Sequence, residues 1–396
     1  MIVFMSYQSV NPATGKVLKK FKEITNKQLE TSLKTAATCF DTWQFKTFAE
    51  RAVIVAKAAA ILRARVNDFA KPMTLEMGKL IAESRGEVEL SADILDYYAK
   101  NAESFLAPQT LKPSSGEAVI ECTPFGVLFG VQPWNFPYYQ LARFAAPNLM
   151  AGNVVMVKHA GCVPQCAIAF EELWREAGAP AGAYTNLLIS YEQVNRVIDD
   201  SRIEGVALTG SVDAGKSVAA RAGQNLKKTT MELGGSDAFI VLEDADLEKT
   251  VKWAVWAKMN NMGQCCVAGK RFIVVESVAD KFLEKLKAAL AAFKPGDPMD
   301  AATTLGPLST EAALVQLLGQ IKRAVAKGAK LLLGGKRVAS RIDTGMVFIN
   351  HPTWTACDLP FGGIKNSGYG RELSSLGIQE FVNKKLVRVS SIDAPA

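Results

Sequence analysis

Three residue types, far apart in the chain, form a set able to do covalent catalysis. Gly263-Gln264-Cys265-Cys266 puts two thiols in a glycine turn, and Glu232 stands 34 residues before the second of them (266 − 232). Glu232 itself opens another glycine-rich turn, Glu232-Leu233-Gly234-Gly235. Asn135 lies between prolines in Gln132-Pro133-Trp134-Asn135-Phe136-Pro137, where a stiff backbone holds its amide. A thiol is a nucleophile, a carboxylate a base, and a fixed amide a donor to negative charge developing on oxygen. The thiol and the amide also have plainer readings: an inert packed cysteine, and a rigid turn with an aromatic plug.

The set needs no histidine, and the chain has only His159 and His351, 192 positions apart (351 − 159). Neither has a metal-ligand partner at short spacing, so no metal site is expected and a zinc or Ser-His-Asp hydrolase is disfavoured. Seven cysteines, two of them adjacent, do not make a disulfide framework. The 396 residues are 49% hydrophobic and 21% charged, the balance of a soluble globular protein. At roughly 100–200 residues per domain, two or three domains are expected. No basic flank opens the chain and no uncharged apolar stretch reaches about 18 residues, so no secretory signal or membrane span is expected, and the location read is cytoplasmic. The net charge of +7 is spread thinly and its basic pairs lack aromatics, which suits anionic small molecules better than nucleic acid.

The elements that must position these residues change character along the chain. Three- and four-residue apolar spacing predicts helices over 27–43, 48–66 and about 74–105. From residue 116, short apolar runs at 127–131, 154–157, 187–189, 206–208, 239–242, 272–275, 331–333 and 346–349 alternate with amphipathic segments. The latter fall near 138–151, 164–177, 213–223, 246–262, 278–293 and 310–327. Such alternation predicts an α/β fold with a parallel sheet covered on both faces, and ligands beyond the carboxyl ends of its strands. Lys158 ends one such strand. Thr209-Gly210-Ser211 leads from another into a helix start, where free N–H groups favour an anion. Residues 210–217 (GSVDAGKS) also fit the phosphate-loop expression, and Glu243-Asp244 follows a later strand, so a phosphate-loop nucleotide hydrolase is a rival reading.

Taken in order, these motifs resemble the NAD(P)-dependent aldehyde dehydrogenase superfamily, closest to its bacterial succinate-semialdehyde branch. The resemblance runs from Asn11-Pro12-Ala13-Thr14-Gly15 through PWNFP at 133–137, the Thr209-Gly210-Ser211 turn, Glu232-Leu233-Gly234-Gly235 and Gly263-Gln264-Cys265-Cys266 to PFGGIKNSGYGRE at 360–372. It implies a Rossmann-like dinucleotide-binding domain over 1–106 and 125–233 and an α/β catalytic domain over 234–379. It further implies a small oligomerisation sheet from 107–124 and 380–396, in a homodimer or homotetramer. Cys266 would attack a small aldehyde, with Asn135 and its own backbone N–H holding the oxyanion. Hydride would pass to NAD or NADP, and Glu232 would activate the water that hydrolyses the thioester, with Cys265 a spectator. For the cofactor, the resemblance implies Lys158 at the adenine ribose, Trp134 and Ser211 near the pyrophosphate, Gly210 and Gly215 in the same turn, and Leu233 at the nicotinamide.

Three departures qualify that picture. Gly161 stands where NAD-selective relatives often carry a glutamate, so NADP should be tolerated. Arg143 matches one arginine that binds a substrate carboxylate, but Asn260 replaces the second. Near residue 338, Gly334-Gly335-Lys336-Arg337-Val338 runs straight into a segment found well downstream in the family. An internal segment is therefore read as missing, and with it a glutamate that orients the nicotinamide. Exposed apolar faces and strand edges are expected, and a catalytically impaired or inactive relative is the alternative that follows.

Overall fold

The computed structural model describes residues 7–114, 116–334 and 355–389. Its first helices start where the sequence caps them. Thr25 and Thr47 each accept a bond from the backbone N–H three residues on, and Gln28 and Glu50 return it, so Asn26–Trp43 and Phe48–Ala64 both begin with a capping box. The stretch expected as one helix over 74–105 is two, Val66–Met77 and Ile81–Phe105. Gly78 breaks it with φ 80°, and a Cβ there would lie 2.7 Å from Pro307. Only glycine fits that bend.

The main sheet has six strands in the order Gly368–Tyr369, Lys228–Leu233, Ile203–Gly210, Val127–Gln132, Val154–His159 and Tyr184–Asn186. All pair in parallel except Gly368–Tyr369, which runs antiparallel to Lys228–Leu233. From Val127–Gln132 the chain builds outward on one side, then returns to Ile203–Gly210 on the other. The strand order reverses there, which opens a crevice at the carboxyl ends of those two strands. Val154–His159 is buried along its whole length, as a strand covered on both faces must be.

Two local expectations shift. The strand expected at 187–189 pairs instead as Tyr184–Asn186, while Leu187 and Ile189 enter the core as the chain leaves the sheet. The helix Tyr191–Asp199 was not foreseen. It is short and largely polar, and its signal is the Ser190/Gln193 capping box.

Among the described residues a second sheet contains Ala238–Val241 and Arg271–Val274, parallel, with Ile240 opposite Ile273. One face packs through Val241 on Val251, Ala254, Phe282 and Leu286 from the helices Leu247–Met259 and Glu276–Ala291. On the other, Ile240 and Ile273 are 59% and 49% exposed. Cover on both faces was expected, and among the described residues this sheet has it on one. The run at 331–333 is exposed and unpaired rather than a strand, and helix Glu311–Ala326 buries no residue. A third strand and its cover would have to follow, where the sequence reads as shortened. The run expected at 346–349 lies outside the described residues.

Val382–Val389, Glu117–Pro124 and Gln109–Leu111 form a separate antiparallel sheet with Glu117–Pro124 in the middle. Residues 368–378, expected in the catalytic segment 234–379, cross that boundary. Gly368–Tyr369 extends the main sheet, and Tyr98 donates to the Ser374 carbonyl at 2.9 Å.

Candidate active site

A cavity of about 340 Å³ opens at the crevice of the main sheet. Trp134 and Asn135 reach it from the end of Val127–Gln132, Gly210 and Ser211 from Ile203–Gly210, and Glu232 and Leu233 from Lys228–Leu233. Cys265 and Cys266 enter from the turn beyond Leu247–Met259, and Leu308, Gln316 and Gln320 from the outer side. The nucleophile, acid/base and amide candidates thus share one cavity. No spacing rule gave the Gln316 and Gln320 contribution, because that helix meets the cleft only through tertiary packing.

The thiol turn is strained and pinned. Asn261 and Met262 sit in the left-handed region at φ 52° and 53°, at a cost of roughly 1–2 kcal/mol each, less for asparagine. Asn261 N–H donates to Glu83 Oε1 at 3.0 Å and its side-chain amide donates to the Asn135 carbonyl at 2.7 Å. In return the Asn135 amide donates to the Gln264 carbonyl at 2.9 Å. An amide nitrogen carries two N–H groups, so one fixes the side chain and the other is left for a ligand. Gln264 closes the turn, donating to the Asn261 carbonyl at 3.2 Å and accepting from Ser309 N–H at 2.8 Å. Lys270 donates to the Cys266 carbonyl at 3.0 Å and to the Gly235 carbonyl at 2.9 Å, tying the thiol turn to the turn after Glu232.

The electrostatics separate the two chemical groups. The Cys266 thiol is drawn down to about 7, chiefly because the Cys265 thiol hydrogen-bonds to it; burial opposes this, while Arg143 and Lys270 assist. Cys265 is held well above the usual thiol range by the same bond and by burial. Burial pushes Glu232 up to about 8 against the pull of Arg143, with Glu372 and Cys266 raising it further. Among the described residues its Oε1 is buried without a hydrogen-bond partner. A negative charge on either group discourages one on the other.

Arg143 does not reach the cavity. It is 1% exposed, pairs with Glu372 at 2.7 Å, donates to Gln140 Oε1 at 2.7 Å and Thr209 Oγ1 at 3.1 Å, and lies over the Phe361 ring at 4.4 Å. Its charge is paired with Glu372 and covered, so the expected contact with a substrate carboxylate draws no support from this arrangement. Asn260 does not line the cavity either. Glu372 and Phe361 lay within the recognised 360–372 run, yet nothing in sequence tied them to Arg143.

Lys158 and Gly161 border a separate small cavity with Glu23, Ser190 and Tyr191. Lys158 donates to the His159 carbonyl at 3.1 Å and lies 5.5 Å from both the Tyr7 and Tyr191 rings. Burial draws it down to about 8. Ser211 caps Val212–Gln224, its side chain accepting from Ala214 N–H at 3.2 Å. The phosphate-loop reading fails at this point. Residues 212–217 are helix rather than a wrapping loop, Lys216 and Ser217 face solvent, and Glu243-Asp244 follows a strand of the other sheet. Gly215 has another purpose: a Cβ there would lie 2.6 Å from Leu233 Cδ2, so glycine lets the helix meet the end of the Lys228–Leu233 strand.

A doubly wound sheet with a thiol, a carboxylate and an amide at its crevice defines a covalent-catalysis site beside a dinucleotide cleft. The chain belongs to the aldehyde dehydrogenase family, whose model matches residues 5–338 and 336–387. It is 42% identical over 450 aligned positions to the NADP(+) succinate-semialdehyde dehydrogenase of Deinococcus radiodurans, covering 96% of this chain and 94% of that one. A probable NADP(+) succinate-semialdehyde dehydrogenase of Synechocystis sp. is 38% identical, covering 98% of this chain and all of that one. The crystal structure of succinic semialdehyde dehydrogenase from Streptococcus pyogenes with NADP+ is 40% identical, with TM-score 0.94 over 98% of this chain and 100% of that one. The first alignment is longer than the 396 residues of this chain, and the family match breaks at 338. This chain is shorter than the relatives it matches, and the two family matches divide where the sequence reads as shortened.

Proposed function

We propose that the protein oxidises an aldehyde, succinate semialdehyde foremost, to the carboxylic acid with NADP or NAD as acceptor. The observation that carries this is Cys266, its thiol drawn down to about 7, in one cavity with Glu232 and Asn135. The names of the relatives support the substrate and favour NADP.

The residues present fit a dinucleotide. Trp134 and Leu233 line the cleft, the helix start behind Ser211 offers free N–H groups that would suit a pyrophosphate, and Lys158 with Gly161, bordering the second cavity, would hold the adenine ribose. When bound, the cofactor accepts the hydride that the substrate carbon gives up. Cys266 attacks the carbonyl as thiolate, and the free N–H of Asn135 with the Cys266 backbone N–H stabilises the oxygen. The thioester left after oxidation is hydrolysed by water whose proton Glu232 accepts.

The domain boundaries inferred from sequence go with this reading, residues 368–378 excepted. Val382–Val389 leaves one edge unpaired among the described residues, which suits pairing of subunits into a dimer or tetramer. Seven free thiols suit a reducing cytoplasm, and no described helix is long and apolar enough to cross a membrane. The inactive-relative reading is not favoured, since Cys266, Glu232 and Asn135 all line the cavity. The test is reduced-nicotinamide absorbance with succinate semialdehyde and butanal, each with NADP and NAD. Turnover that disappears in Cys266→Ala is expected; none with any aldehyde, or turnover retained in that variant, overturns the proposal.

A further inference from the structure

The helix Ile81–Phe105 lies outside the cavity but holds both of its walls. Glu87, buried, accepts from the N–H groups of Tyr138 and Tyr139 at 2.9 and 3.1 Å, in the first turn of the Pro137–Ala151 helix that follows Asn135. One helical turn earlier, Glu83 accepts from Asn261 N–H at 3.0 Å, in the left-handed pair that precedes Gln264 and the thiols. Two acceptors at i and i+4 share one helix face, so a rigid element fixes how far the amide wall stands from the thiol wall.

We propose that Glu83 is a positioning residue for the nucleophile, holding Asn261 so that the Asn261–Asn135–Gln264 bonds present Cys266 and the Asn135 amide to the same carbonyl. Asn261 is the hinge of that network. Its N–H is taken by Glu83, its side chain reaches the Asn135 carbonyl at 2.7 Å, and Asn135 returns to the Gln264 carbonyl at 2.9 Å. Without the Glu83 acceptor, a buried N–H loses its partner and the left-handed pair can relax toward an ordinary turn. Gln264 and the thiols would then swing relative to Asn135. Glutamine keeps an acceptor oxygen at the same reach; alanine removes it; aspartate is one methylene too short.

This inference rests on Cys266 being the reactive thiol, so the site of labelling is mapped first. Purified full-length protein is treated with iodoacetamide from pH 5.5 to 9.5, well below its melting temperature, and labelled cysteines are identified by mass spectrometry. Label elsewhere than Cys266 in the parent would remove the proposed function itself. With Cys266 labelled, Glu83→Ala should slow its alkylation at pH 7 at least fivefold and move the midpoint upward. Glu83→Gln should stay within twofold of the parent, and NADP affinity by calorimetry should be unchanged in both. Glu83→Asp should behave like Glu83→Ala and decides the matter if the alanine variant does not fold. A profile in Glu83→Ala or Glu83→Asp that superimposes on the parent, or a Glu83→Gln profile displaced like alanine's, overturns the proposal.

Discussion

Arg143 and Glu372 meet at 2.7 Å in the interior, their side chains 1% and 9% exposed. The pair stands behind the cavity, within Coulomb reach of Glu232. Arg143 raises the anionic share of both Glu232 and Cys266, whereas Glu372 works against that at Glu232. Arg143→Ala should therefore leave Glu372 buried and uncompensated, lowering stability by roughly 3–5 kcal/mol. The KM values for succinate semialdehyde and butanal should change by the same factor. Urea unfolding with steady-state kinetics checks both, and a KM rise confined to succinate semialdehyde would restore Arg143 as a carboxylate contact.

Alkylation and turnover should titrate at different pH. The thiolate is the reactive form, so with Cys266 near 7 its labelling should fall about tenfold per pH unit below that point and level above it. Glu232 accepts a proton only when ionised, and its value near 8 means that turnover limited by hydrolysis climbs until about pH 8. Glu232→Gln should abolish that second limb and cut turnover by roughly 100-fold or more, while the alkylation profile persists. Loss of both together would show that the two groups do not divide the work.

Cys265→Ala should slow Cys266 labelling at pH 7 by roughly three- to tenfold and leave it unchanged at pH 9.5. The alanine removes the thiol that hydrogen-bonds to the neighbouring thiolate, and a charge-assisted bond of this kind contributes roughly 1–2 kcal/mol. Cys265→Ser keeps a donor and should recover most of the rate. Stopped-flow alkylation at the two pH values decides it.

The bare face of the second sheet should be detectable in solution. Ile240 and Ile273 are cross-strand neighbours, both about half exposed or more. Replacing both by Thr keeps strand propensity while removing apolar surface. Binding of an apolar fluorescent dye should fall by about half, with NADP affinity unchanged and unfolding free energy within about 1 kcal/mol. Unaltered dye binding would mean that this face is covered in solution.

The sequence announced most of the site because the chemistry concentrates in short motifs at strand ends. Asn135 between prolines, Glu232 before two glycines and Cys266 after Gly263-Gln264 were each visible, since a rigid turn needs particular residues in a particular order. The break near 338 was visible too, and the two matches of the family model, to 5–338 and 336–387, divide there. For Arg143 the motif position fixes which side chain is present, not what pairs with it. Its partner Glu372 lies 229 residues downstream (372 − 143), and only folding brings them together.

Strand and helix periodicity and glycine turns are local, and they pointed to the fold class and the catalytic candidates from the chain alone. The tertiary structure decided which charges face one another. That set Cys266 low and Glu232 high, paired Arg143 with Glu372, joined Gly368–Tyr369 to the main sheet and brought Glu83 to Asn261. The physical reason is range: backbone conformation follows neighbours within a few residues, whereas burial and Coulomb interactions depend on distance in space.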